Sequence, residues 1–228
     1  MEDAEFADRG VYLPEADALV IADLHLGRDA TSNVSLPLGE RADLTSRFET
    51  LLDRFSPEEV VLAGDVLHAF DRLPDEARET FDDLQNLAAD AGADFVPVLG
   101  NHDSRLADLT DPSDEYRLGD GTLVCHGHEV SESVAPRYVV GHDHPAIEIE
   151  GKRRPCYLWG PETFRDSDVL VLPAFTRFAS GAVVNDMCGS DFQTPFVTSA
   201  NSFQPIVRDD DADETYRFPP FGEFRELL

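Results

Sequence analysis

Ala18-Leu19-Val20-Ile21-Ala22-Asp23-Leu24-His25-Leu26-Gly27 is the stretch from which the rest of the chain is read. Its apolar run has the length of a buried strand, and such runs belong in the middle of a parallel sheet. The run empties into an Asp and a His two residues apart. Open α/β sheets hold their ligands just past the C-terminal ends of strands, and in extended backbone residues i and i+2 point to the same side. Asp23 and His25 are therefore expected to converge on one point, where a carboxylate and an imidazole begin a metal site. Alone, the pair would read more simply as a helix N-cap and a surface histidine. The downstream sequence reverses that preference.

A polar loop with Pro37 and Gly39 leads to Glu40–Phe55, where Leu44, Phe48, Leu51, Leu52 and Phe55 recur at helical spacing. Glu59–Ala63 repeats the first pattern, a buried strand running into Gly64-Asp65. Pro74 opens a second amphipathic helix through about Ala91, closed by Gly92. A third strand, Asp94–Leu99, ends in Gly100-Asn101-His102-Asp103. Strand and helix alternating in this way predict right-handed parallel βαβ units. From Tyr116 onward short segments replace them: Thr122–Cys125, Arg137–Val140, Ala146–Glu150, Cys156–Trp159, Val169–Leu172 and Gly181–Val184, with Gly151-Lys152 as a hairpin turn. The expectation is a second, more antiparallel sheet packed on the first. Residues 18–185 form the core of one expected domain spanning 1–228, and residues 186–228 an extension that gives little structural signal.

Forty-six acidic residues face eighteen basic ones, a net charge of −28 that is spread along the whole chain. A surface so acidic repels itself in dilute buffer, and molar salt, with a Debye length of ~3 Å, screens that repulsion. The even spread points to a protein of a salt-rich, halophilic cytoplasm rather than to one acidic docking patch. Cys125, Cys156 and Cys188 are odd in number and lack ligand-type spacing, so reduced, mostly buried thiols are expected. Met1–Gly10 has no apolar core of a signal peptide, and no run approaches the ~20 apolar residues of a membrane span. A cytoplasmic location without membrane partners is the expectation. The oligomeric state is not written in the sequence.

All seven histidines, His25, His68, His102, His126, His128, His142 and His144, fall at or just beyond an expected strand end. Five tips carry ligand-type groups: Asp23/His25, Asp65, Asn101/His102, His126 and His142/His144. Three or four imidazoles, two carboxylates and an amide oxygen are too many for one tetrahedral ion, and unclustered cysteines argue against structural zinc. Mixed nitrogen and oxygen donors around two ions suit Mn²⁺, with Fe or Zn²⁺ as alternatives. Two such ions activate water and clamp both oxygens of an in-line displacement at phosphorus.

In this order the motifs Asp23-Leu24-His25, Gly64-Asp65, Gly100-Asn101-His102-Asp103, His126-Gly127 and Gly141-His142-Asp143-His144 resemble those of the calcineurin-like metallophosphoesterases. The resemblance implies a sandwich of two mixed β-sheets flanked by helices, an α/β fold with its metal site at the strand C-terminal ends. It also implies that Asp23, His25 and His144 hold one divalent ion, that Asn101, His126 and His142 hold the other, and that Asp65 bridges them. His102 would contact the scissile phosphate and protonate the leaving oxygen. A looser likeness runs to about residue 185 through Lys152-Arg153-Arg154-Pro155-Cys156, read as a basic turn, and Leu172-Pro173-Ala174-Phe175. It is to archaeal phosphoesterases related to the bacterial ligase-associated DNA damage response endonucleases. That branch implies a phosphodiester substrate, single-stranded nucleic acid foremost, and makes a DNA-repair helicase or ligase a candidate partner. A small cyclic or linear nucleotide diester is the rival substrate, because no basic stripe supplies duplex affinity. A phosphoesterase fold serving only as a scaffold is disfavoured by the complete ligand set.

One departure from the family pattern is His68, which stands where many members carry an Asp that orients the catalytic imidazole; Asp103 is the substitute considered for that role. Of the two imidazoles in Cys125-His126-Gly127-His128, family position selects His126 as ligand and leaves His128 for substrate contact or support behind the ligands. His68 and His128 are candidate substrate contacts. Arg28 is a candidate bidentate phosphate contact, and Arg105, Arg137, Arg153, Arg154 and Arg177 are further candidates. Most of these arginines, in so acidic a chain, are expected to pair with Asp and Glu, and Trp159 and the stretch Phe175–Phe178 to lie in the core.

Overall fold

The structure, a computed structural model, describes residues 1, 3–28, 39–68 and 73–225. Most of the polar loop expected after Gly27 lies outside them. Two short strands missed in the sequence open the chain, β1 (Glu5–Ala7) and β2 (Gly10–Leu13); β2 pairs antiparallel with the expected first strand, and β1 pairs antiparallel with β2 at the sheet edge. That strand, β3 (Ala18–Ile21), is followed by helix α1 (Glu40–Phe55), β4 (Glu59–Ala63), α2 (Asp75–Ala91) and β5 (Asp94–Val98). Strands β3, β4 and β5 are parallel, as the βαβ reading requires. Gly92 terminates α2 in the left-handed region at φ 80°, a conformation that costs glycine little.

The second half supplies β6 (Glu115–Arg117), β7 (Leu123–Cys125), β8 (Arg137–Val140), β9 (Pro145–Ile149), β10 (Lys152–Pro155), β11 (Tyr157–Phe164) and β12 (Ser167–Val171). The chain then continues through β13 (Ala182–Val183), β14 (Gln204–Asp209), β15 (Glu214–Arg217) and a short helix α3 (Phe221–Phe224). Seven of these strands form one mixed sheet in the order β15-β14-β11-β12-β8-β7-β6, with β7, β8 and β12 parallel. Residues Lys152–Pro155, read as a basic turn, are instead strand β10 of a third, three-stranded sheet with β9 and β13. The turn itself falls one residue earlier, so the basic residues extend the hairpin rather than cap it.

The two large sheets lie face to face, and strand alternation decides what each buries. Ala18, Val20 and Ala22 join Val61, Ala63 and Val98 against Val124, Val139, Leu170, Tyr157 and Trp159 of the other sheet. The intervening residues Leu19, Ile21, Val60 and Leu62 face the helices, meeting Leu44, Phe48, Leu51, Phe81 and Leu84. Burial on both faces is what a continuous apolar strand encodes. The outer face of the second sheet, with Tyr138, Val140, Leu158 and Val171, is covered by Phe192, Phe196, Phe203, Phe221 and Phe224. The described residues after 186 thus extend the second sheet through β14 and β15 and cover its outer face with aromatics too widely spaced to read as an element. Cys125 and Cys156 are buried free thiols, and Cys188 is an exposed one. No helix of the described residues is long and apolar enough to cross a membrane.

Candidate metal centre

Beyond β3 and β4 the two tips stay paired. Asp23 N–H donates to the Gly64 carbonyl at 3.1 Å, His25 N–H to Asp65 O at 2.9 Å, and Leu26 N–H to Val66 O at 2.8 Å. This ladder fixes Asp23, His25 and Asp65 in register at one rim. The pleat does not align them, as an extended reading had it. Asp23, His25, Asp65, His142 and His144 all have φ between 47° and 75°, a left-handed conformation that costs a residue with a Cβ roughly 1 kcal/mol or more. Each motif is a kinked turn in which alternate residues swing inward. Two glycines permit the closeness: a Cβ at Gly64 would stand 2.5 Å from the His126 Cβ, and one at Gly141 2.6 Å from Asp23 Oδ2.

The expected ligand side chains converge as two groups, and ring nitrogens of His25, His68 and His102 form a third cluster beside them. Ligand atoms of Asp23, His25 and His144 lie within 4.8 Å of one another, as do those of Asp65, His126 and His142. His144 Nε2 is 3.1 Å from Asp23 Oδ1 and 3.2 Å from His25 Nε2. His126 Nε2 is 3.0 Å from His142 Nδ1 and 3.1 Å from Asn101 Oδ1. Asp65 stands between the groups, with Oδ1 3.4 Å from His126 Nε2 and Oδ2 4.0 Å from His25 Nε2. All seven residues expected as ligands are therefore brought to one rim. Nitrogen lone pairs facing one another beside carboxylate oxygens form an acceptor-rich set that suits cations.

The surroundings prepare the donors. His126 Nδ1 lies 3.2 Å from the Ala63 carbonyl, which can only accept, so the proton sits on Nδ1 and the Nε2 lone pair points inward. Burial holds His25 down to about 3, and His126 down to about 4, so both imidazoles are neutral at pH 7. Burial also lowers His142. Burial would raise Asp23, but His144, His126 and His25 outweigh it and leave the carboxyl below its usual range. For His144, burial is outweighed by Asp23 and the net movement is upward. Asp65 is pushed up to about 7 by burial, with the Asp23 and Asp103 carboxylates adding to it.

His102 donates its main-chain N–H to Asp65 Oδ1 at 2.9 Å, and its Nε2 is 3.9 Å from Asp65 Oδ2. Asp103 does not orient that ring. Its buried carboxylate accepts the N–H groups of Leu67 at 2.7 Å, Gly100 at 2.8 Å and Val66 at 3.1 Å, tying the β4 and β5 tips together. The group against His102 Nδ1 is the main-chain carbonyl of His68, at 3.3 Å. The His68 ring stacks on that of His102 with centroids 6.1 Å apart. His128 belongs to neither ligand group; its ring centre is 5.2 Å from that of His126. Arg28 lines the same cleft as His25, His102 and His144. Arg105 and Arg137 are engaged by Asp108 and by Asp3 and Asp120. Sequence reading missed Asp143, which accepts Gln193 N–H at 2.8 Å and Thr194 N–H at 3.0 Å. It pins the outer layer to the turn carrying His142 and His144, and only its place inside the Gly-His-x-His motif hinted at it.

A family model described as calcineurin-like phosphoesterase matches residues 17–175. Among solved structures the chain is similar to the nuclease MPE of Pseudomonas putida, with TM-score 0.65 and 24% identity over 92% of each chain. At that identity the likeness is one of fold. Yfce, a phosphoesterase from E. coli, aligns with TM-score 0.45 and 13% identity over 88% of this chain and 97% of its own. A dimetal phosphatase from Danio rerio aligns with TM-score 0.40 and 11% identity over 82% and 91%. No curated protein matches the chain. Because the family model covers most of the sequence, from the strand before Asp23 to Phe175 beyond His144, the chain belongs to the calcineurin-like phosphoesterases and is a metal-dependent phosphoester hydrolase.

Proposed function

We propose that the chain is a dinuclear phosphodiesterase acting on nucleic acid, with a role in DNA repair and Mn²⁺ as its metal. The observation that carries this reading is the position of Asp65, one oxygen turned to each group of imidazoles. Asp23, His25 and His144 would hold one ion, Asn101, His126 and His142 the other, and Asp65 would serve both. When bound, the ions supply a nucleophile from water at neutral pH and neutralise charge on the phosphate. The chain's own contribution is positional. With Nδ1–H held by the His68 carbonyl, His102 presents Nε2 to the cleft and delivers a proton to the leaving oxygen. Arg28 reaches the phosphate from the same wall.

The DNA-repair assignment rests on the resemblance of residues 145–185 to the ligase-associated branch, and a helicase or ligase of that system is the partner it suggests. A small nucleotide diester is the second reading, favoured by the acidic residues Asp114, Glu115, Glu129 and Glu132 lining a neighbouring hollow. The test is hydrolysis of bis-p-nitrophenyl phosphate with Mn²⁺ in molar KCl, with single-stranded DNA and cyclic nucleotides in the same buffer. Activity lost in Asp65→Asn supports the enzyme. Cation binding without turnover of any ester would instead mark a scaffold.

A further inference from the structure

The cleft that holds the metal side chains opens into a neighbour. Its rim at His144 and residues 179–181 is also the rim of a second hollow walled by Arg9, Arg153 and Arg177. Arg9, Pro155, Pro173 and Arg177 are shared in turn with a third hollow that ends at Arg208. Together the three form one trench. On its Asn101 side the cleft meets different company, the hollow lined by Asp114, Glu115, Glu129 and Glu132.

The charge balance within the trench runs against that of the chain. Arg47 and Arg177 share the carboxylates of Asp8 and Asp43. Arg9 stands beside them with its Nη1 on the carbonyls of Ala174 at 3.1 Å and Thr176 at 2.5 Å. No ion pair to a carboxylate involves Arg9 or Arg153 among the described residues. Arg153 instead reaches the carbonyl of Ser180 at 3.4 Å, on the rim common to both hollows. Burial, with the charges of Arg47 and Arg177, lowers Arg9 to about 10 against the opposing effect of Asp8, and Asp8 and Asp210 are the carboxylates lining the third hollow. A protein with 46 acidic and 18 basic residues thus keeps two guanidinium groups without an ion pair, among the described residues, in the hollow that adjoins its candidate metal centre.

We propose that this trench binds a second phosphate of the substrate, one step along from the scissile group, with Arg9 and Arg153 as its ligands and Arg177 at the rim. The inference rests on the phosphoesterase reading of the cleft and deepens it: the substrate is a nucleotide carrying at least two phosphates, held from the His144 side. Carboxylates on the Asn101 side disfavour phosphate there, so the grip is one-sided. Molar salt reduces the Debye length to ~3 Å and removes long-range repulsion by the acidic surface, while guanidinium–phosphate contacts at hydrogen-bond distance persist.

The experiment compares thymidine 5′-(p-nitrophenyl phosphate) with two homologues, one extended by an internucleotide diester and one by a 3′-phosphate monoester. Arg153→Gln is expected to raise KM for an extended ester about five- to twentyfold over its effect on the unextended one, with the kcat ratio unchanged. Arg154→Gln, the same charge change on the adjacent residue, which pairs with Asp209, is expected to move neither. A response to the diester alone identifies a strand as substrate, and a response to the monoester alone a short nucleotide; both support a second-phosphate subsite. Equal factors for all three esters, or an equal effect of Arg154→Gln, would overturn it. Fluorescence anisotropy of labelled pentathymidylate with metal-free protein gives an independent arm, in which Arg153→Gln must weaken binding by a similar factor. If the wild type hydrolyses none of the esters, the phosphoesterase reading fails. The anisotropy still decides the trench, and unchanged binding by the variant overturns it.

Discussion

The Nδ1 atom of His102 stands 3.3 Å from the main-chain carbonyl oxygen of His68. A backbone acceptor therefore holds the imidazole that the proposed mechanism uses as its acid, and the His68 side chain is not needed for that bond. His68→Ala is expected to lower kcat less than tenfold, whereas His102→Ala is expected to lower it about 10²-fold or more. Steady-state hydrolysis of bis-p-nitrophenyl phosphate measures both. Equal losses in the two variants would make the His68 ring, not its carbonyl, the group that matters.

Asp65 is expected to stabilise the loaded enzyme and destabilise the metal-free one. Burial, with Asp23 and Asp103 nearby, raises its folded-state pKa to about 7 from 3.8, so the folded protein ionises this group less readily than the unfolded chain. The resulting loss of stability begins as pH rises above about 4 and is complete above 7. In Asp65→Asn an amide oxygen can still accept the His102 N–H seen at 2.9 Å. Metal-free Asp65→Asn is therefore expected to be inactive yet more stable than wild type at pH 8, by about 1–3 kcal/mol, and no more stable at pH 4. Urea unfolding at the two pH values checks this.

Cation binding should fall away below neutrality. Asp65, raised to about 7 by burial, and His144, raised by Asp23 against the effect of burial, hold protons that an incoming cation must displace. His25 and His126, lowered by burial to about 3 and about 4, have none to lose. Mn²⁺ affinity measured by calorimetry is expected to drop roughly tenfold per pH unit for each displaced proton below pH 7, with a slope of one to two protons. A slope of zero between pH 6 and 7 would contradict this electrostatic account.

What the sequence disclosed and what it hid follow from range. The elements Glu40–Phe55 and Glu59–Ala63 were legible to the residue, because burial against one neighbour imposes a period that local sequence must carry. The donor-bearing tips were visible because four of the five keep a donor beside a glycine, Gly64, Gly100, Gly127 and Gly141. The kinked backbone at Asp23 and His25 was not, since φ near 50° is stabilised by the ladder to Gly64 and Asp65 some forty residues away. Strands β1 and β2, three and four residues long, are too short to show a period. The outer layer was hidden for a related reason: Phe192, Phe196, Phe203 and Phe221 are placed by the sheet they cover and follow no spacing of their own. The roles of Asp103 and Asp143 lie in backbone N–H groups they accept, which no side-chain pattern records.

Asp143 links that outer layer to the metal centre, and its removal is expected to affect both. Its buried carboxylate accepts N–H groups of Gln193 and Thr194 at 2.8 and 3.0 Å from the turn between His142 and His144. Asp143→Ala strands two donors, one of them fully buried, at a cost of about 2–4 kcal/mol. Urea denaturation is expected to show that loss with an unchanged slope, and Mn²⁺ affinity to weaken with it. Asp143→Asn, whose single amide oxygen can serve only part of the pair, is expected to fall between. Full stability in Asp143→Ala would mean that water replaces the carboxylate without cost.

The surplus of negative charge sets the last expectation. Several ion pairs are made at the surface, Arg41 to Glu79 and Asp83 and Arg54 to Asp213 among them, but exposed pairs contribute little each. With 46 acidic residues against 18 basic ones, most carboxylates face solvent and one another, and compaction brings them closer than the unfolded chain does. Raising KCl from about 0.1 M to 1 M shortens the Debye length from ~10 Å to ~3 Å, which screens the many repulsions more than it weakens the few attractions. The thermal midpoint is therefore expected to rise with KCl and to rise similarly with NaCl, since screening depends on ionic strength and not on which cation supplies it. A midpoint that is flat or falls over that range would mean that paired charges, rather than repulsion among unpaired ones, dominate the electrostatics of the folded state.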